Sequence, residues 1–108
     1  MKPFVIVFAL ALTACTEPSG VKVIVGAKLI AAPGRAPIDF SVVVVENGKF
    51  REVGPQSSTP VPKGAEITRG NGMILEPAPG ETIEPGHAAN FILKGATQLQ
   101  MHDGKWVQ

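Results

Sequence analysis

Cys15 is the only cysteine in this chain. No intramolecular disulfide can form in any compartment, so packing alone must hold the fold. There is also no apolar run of about 20 residues, the length a mature membrane-spanning helix needs. The run from Phe4 to Leu12 falls well short of that. Charge of one sign is lacking too: ten basic and nine acidic residues lie scattered, for a net charge of +1. With no basic block and no interleaved aromatic platform, nothing in the sequence suits a phosphate backbone, and nucleic acid is not expected as a partner. Strong helix formers do not recur at amphipathic spacing, and no internal repeat is present. What remains is abundant Gly and Pro, twelve and ten residues, clustered between short apolar runs. That composition predicts short strands joined by turns.

The strands can be placed. Val21 to Val25 and Lys28-Leu29-Ile30 have strand chemistry, and Gly26-Ala27 between them marks a bulge or a change of sheet. Pro33-Gly34-Arg35-Ala36-Pro37 reads as a loop. Val42 to Val45 leads into Glu46-Asn47-Gly48-Lys49, and Phe50 to Val53 leaves it. Asn-Gly between two β-rich runs is a strong hairpin signal, because a type I′ turn needs positive φ at both central residues. Gly54 to Gly64 is a Pro/Ser-rich connection. Short strands follow at Glu66-Ile67-Thr68 and Met73-Ile74-Leu75, around Gly70-Asn71-Gly72. After the proline-rich stretch Glu76 to Gly86 come Asn90 to Leu93, Gln98 to Met101, a tight turn at Asp103-Gly104, and Lys105-Trp106-Val107. The fold class expected is all-β, a small sandwich or barrel.

At the N-terminus, a positive start at Met1-Lys2, the apolar run and small residues before Cys15 describe a secretory signal peptide over residues 1–14. Leu12-Thr13-Ala14-Cys15 resembles the lipobox of bacterial lipoproteins, which implies cleavage before Cys15 and lipidation of its thiol. Residues 15–20 would form a short tether, and 21–108 one domain. The expected location is the bacterial cell envelope, on the periplasmic face, with membrane lipid as the partner at Cys15. Thr16 is not the aspartate that retains many lipoproteins at the inner membrane, which favours the outer one.

Three blocks in order carry a second resemblance. The first runs from Val25-Gly26-Ala27-Lys28-Leu29-Ile30 through Pro37-Ile38 and Val42 to Val45, then Glu46-Asn47-Gly48-Lys49 and Val53-Gly54. The second is Val61-Pro62-Lys63-Gly64-Ala65-Glu66-Ile67 and Gly72 to Pro77. Together these resemble the opening of an amidohydrolase-superfamily enzyme, of the imidazolonepropionase or dihydroorotase type. The third, Gly80 to Leu93 followed by Asp103 to Val107, resembles the closing end of the same enzymes. In that family the two ends pair into a composite β-sandwich beside a metal-binding TIM barrel, which takes about 250 residues. Here the opening block meets the closing block within Glu76 to Thr82. The resemblance therefore implies a small composite β-sandwich whose catalytic barrel is absent.

Candidate chemistry is sparse. No His-x-His follows Pro77, where the family carries its first metal motif. His87 and His102 both lie at turns and are two, against the three protein ligands usual for catalytic zinc; neither is assigned to a metal, and no cofactor is expected. Glu81 and Glu84 could pair as acid and base but read as a solvated loop. Ser19, Ser41, Ser57 and Ser58 sit in no Gly-x-Ser-x-Gly elbow. Gly70-Asn71-Gly72 lacks the lysine and helix of a phosphate loop. Asn90 suits strand-edge hydrogen bonding, and Trp106 suits plugging the sandwich. No catalytic residue is assigned.

The reading is a lipid-anchored binding or structural module. The alternatives are a component of a hydrolase acting on non-peptide carbon–nitrogen bonds with a separately encoded barrel, or a remnant of one. Segments Val21–Leu75 and Ile83–Val107 should pair in one sandwich. Val23, Val25, Leu29, Val43, Val45, Phe50, Ile67, Ile74, Phe91, Leu93 and Trp106 are expected inside. Four consecutive valines send alternate side chains to opposite faces. One pair of Val42 to Val45 is expected in the core. The other either lies under a loop such as Gly54–Gly64 or docks a second copy, a separate barrel protein or lipid.

Overall fold

The computed structural model describes residues 20–107, so the leader, Cys15 and Ser19 lie outside the described residues. Among the described residues nine strands follow one another: β1 (Val21–Val25), β2 (Lys28–Leu29), β3 (Ser41–Glu46), β4 (Lys49–Pro55), β5 (Glu66–Arg69), β6 (Ile74–Pro77), β7 (Phe91–Lys94), β8 (Leu99–His102) and β9 (Lys105–Val107). They form two sheets, ordered β4-β3-β1-β5 and β9-β8-β7-β6-β2. The class is all-β, a small two-sheet sandwich.

The two hairpins with Asn-Gly and Asp-Gly turns form where the sequence places them. Asn47 and Gly48 have φ of 56° and 78°, and Asp103 and Gly104 have 50° and 82°, the positive pair that a type I′ turn requires. The two turns touch. A Cβ on Gly104 would stand 2.6 Å from the Gly48 Cα, so only glycine permits the approach. In the first hairpin the register shifts between Val44 and Val45, leaving Arg51 as the extra residue of a bulge.

Gly26-Ala27 is a change of sheet. Gly26 takes a φ of 93°, and a Cβ there would meet the Asn71 side chain at 2.6 Å. β5 and β6 change sheet beside it, through Gly70-Asn71-Gly72. As a result β1 runs parallel to β5 in one sheet and β2 parallel to β6 in the other. The Gly70 N–H donates to Val25 O (2.8 Å) and the Lys28 N–H to Met73 O (2.9 Å), so hydrogen bonding continues across the transfer.

The opening and closing blocks join in the second sheet, where β6 pairs with β7, Leu75 opposite Leu93. The connecting segment 78–90 packs as part of the fold. Ile83 and Ala89 enter the core. The Ile83 N–H donates to Ala31 O, and the Ala89 N–H to Gly48 O, both at 2.9 Å.

The main core lies between the sheets and holds Ile24, Leu29, Val43, Val45, Phe50, Leu75, Phe91, Leu93 and Met101. Phe91 links its aromatics, with Phe50 6.1 Å away and half-buried Trp106 edge-on at 5.7 Å. A second, separate cluster holds Val23, Val25, Val42 and Val44. These face away from the main core, yet Val42 is only 1% exposed and Val44 is fully buried. The segment 56–65 returns over this face. Its buried Thr59 sits on Gly54, which pairs with Val42, and Ala65 packs on the cluster.

Two sequence expectations need correction. Ile67 and Ile74, expected inside, are 46% and 38% exposed. Ile74 pairs with Lys28 on one side and Lys94 on the other, on the solvated face of the second sheet. Ile67 stands on β5, an edge strand, beside Val23. Val23 and Val25 are buried, but beneath segment 56–65 instead of between the sheets; Ile24 takes the inner position. β3, which carries the four valines, lies between β4 and β1. Both valine pairs are buried among the described residues.

Candidate functional site

The two histidines lie beside carboxylates, one at the joined segment 78–90 and one at the β8–β9 turn. Glu84 receives Arg35, from the loop after β2, in an ion pair and hydrogen bond. His87 Nε2 stands 3.5 Å from the second oxygen of the same carboxylate. The Arg35 hydrogen bond and its positive charge, with a smaller contribution from His87, hold the Glu84 carboxyl below its ordinary range. Glu84 is therefore a carboxylate near neutral pH and cannot serve as a general acid there. Glu84, read from the sequence as part of a solvated loop, stands in this Arg35–Glu84–His87 arrangement. Arg35 and Glu84 are 49 residues apart, and no local pattern joins them.

His102 lies at the other group, with Nε2 3.4 Å from Asp103 Oδ2. Each histidine thus has its own carboxylate. Among the described residues no three His, Cys, Asp or Glu side chains converge as ligands would. Ser41 is fully buried and donates to Ala27 O at 2.8 Å, a bond within the fold. Ser57 and Ser58 are exposed in segment 56–65. Asn90 is buried, and its Oδ1 accepts the Asp103 N–H at 2.7 Å, which ties the start of β7 to the β8–β9 turn. Asn90 also lines an open cleft of about 400 Å³ with Ala78, Pro79, Ile92, Gln100 and His102.

A second cleft, of about 380 Å³, opens beside Gly26 and Gly72 and is walled by Lys28, Phe40 and Ile74. The sequence offered no signal for it. Phe40 has a φ of 52° and is 62% exposed, a conformation that bulky side chains avoid. It is held by the Gln56 N–H on its carbonyl (2.9 Å) and by the Ser41 N–H on Ala27 O (3.0 Å).

No family model matches the chain, and no curated protein does. Solved structures do. Molinate hydrolase is similar at 26% identity and a TM-score of 0.49, over 53% of this chain and 12% of that one. Phenylurea hydrolase B is similar at 38% identity and 0.49, with the same coverage. A protein assigned as a prolidase, from Bifidobacterium longum, is similar at 20% and 0.48, over 53% of this chain and 14% of its own. The chain therefore spans about an eighth of the length of these proteins. Each likeness covers about half of this chain.

Proposed function

We propose that this chain is a lipid-anchored envelope protein whose single domain is an amidohydrolase-type composite sandwich without its barrel, acting as a binding or structural module. One observation carries the reading. The opening and closing blocks meet directly in one sheet through β6 and β7, and the segment between them packs Ile83 and Ala89 into the shared core. Nothing is inserted where such an enzyme would carry its barrel. The histidines that the sequence does have are paired separately with Glu84 and Asp103. The anchor rests on the Leu12-Thr13-Ala14-Cys15 ending of the leader.

The second reading, a component of a hydrolase acting on non-peptide carbon–nitrogen bonds, needs a partner that brings the barrel. Crosslinking and purification of the chain from its native membranes distinguishes the two. The chain recovered with lipid and no stoichiometric enzyme supports the module. Stoichiometric recovery of a metal-containing barrel protein supports the component.

A further inference from the structure

Asn90 is 9% exposed, and among the described residues only one end of its side-chain amide has a partner. Its Oδ1 faces the backbone N–H of Asp103. A backbone N–H can only donate, so the atom opposite must be the oxygen, and the Nδ2 group is the other end. Among the described residues no acceptor takes a hydrogen bond from that group. Buried donors are almost always satisfied, because leaving one unmade is costly.

The cleft that Asn90 lines has the makings of a site. Ile92, Gln100 and Val107 lie side by side across β7, β8 and β9, and so share the outer face of the sheet. Pro79 closes one wall. The volume of about 400 Å³ falls in the range of small-molecule sites. His102 is the one titratable side chain on the wall, and no lysine, arginine or carboxylate lines the cleft to hold an ion.

We propose that this cleft binds a small neutral carbonyl compound. Its oxygen accepts a hydrogen bond from Asn90 Nδ2, and its apolar body lies along Ile92 and Val107. The inference is independent of the anchored, barrel-less reading above.

Acetanilide is a suitable probe, titrated into the ¹⁵N-labelled full chain in detergent micelles, with benzoate as the charged counterpart. Acetanilide should shift the Asn90 side-chain amide and the backbone amides of Ile92 and Gln100 along a saturating curve. Benzoate should bind several-fold more weakly. Asn90→Asp keeps an oxygen for the Asp103 N–H and removes the donor; it should weaken acetanilide by about five- to tenfold, the range for one neutral hydrogen bond. Val107→Lys, at an exposed position, should weaken it similarly with the amide spectrum otherwise unchanged, and decides the matter if Asn90→Asp does not fold. An Asn90 side-chain signal that stays still at saturating probe overturns the proposal. So does undiminished affinity in either folded variant.

Discussion

Truncating Val44 to alanine tests whether the outer valine face is sealed by the chain's own segment. The substitution removes two methyl-sized groups from a fully buried position. Transfer accounts for about 1.6 kcal/mol at ~0.8 each. A residual cavity of about 50 Å³, at ~24 cal/mol per Å³, adds roughly 1 kcal/mol more. The expected loss is about 2–3 kcal/mol, and Val43→Ala, in the main core, should cost about the same. For a domain of this size, with net stability of about 4–13 kcal/mol, either is a large fraction. Urea unfolding followed by the fluorescence of Trp106, the single tryptophan, measures both. The reasoning fails if Val44→Ala costs less than about 0.5 kcal/mol while Val43→Ala keeps its full cost. That result would mean segment 56–65 does not cover this face in solution, and would restore it as a docking surface.

Other outcomes follow from the same packing. Phe91→Ala should cost about 3–5 kcal/mol by urea unfolding, and Trp106→Ala, only half-buried, about 2 kcal/mol. Gly104→Ala should cost at least about 2 kcal/mol, since it meets the Gly48 backbone and requires positive φ; a neutral result would separate the two turns. Because the folded pKa of Glu84 is lowered, its ion pair contributes above its ordinary value of 4.5, and that contribution is lost as pH falls through the lowered value. Arg35→Ala should move the Glu84 carboxyl titration upward in a ¹³C NMR pH series. Cys15→Ser should release the chain from membranes or leave an uncleaved precursor; unchanged retention of a normally processed product would refute lipidation.

Much of the architecture was legible where a local rule is strict. Asn47-Gly48 and Asp103-Gly104 specify type I′ turns by φ alone, and Gly26 marks the change of sheet because only a residue without Cβ clears Asn71. The valine face was not legible. Four consecutive valines carry no alternation, so only the path of segment 56–65 decides which pair lies under it. Ile67 and Ile74 were misplaced for a related reason. Each sits in a four-residue strand beside the sheet change, too short for periodicity to set which face is inward. Asn90 reads from the sequence as a hydrogen-bonding residue at a strand edge, and it accepts the Asp103 N–H just before β7. The Arg35–Glu84 pair depends on two loops that tertiary folding alone brings together.

The central claim is that the opening and closing blocks pair with each other in one sandwich. Cross-strand nuclear Overhauser effects in the isolated full chain test it most directly. The account predicts backbone contacts in the antiparallel register that sets Leu75 opposite Leu93 and Glu76 opposite Ile92, with the Leu75 and Leu93 amides exchanging only on global unfolding. A collapsed amide spectrum, or β1–β6 folded without contacts to β7, would contradict it.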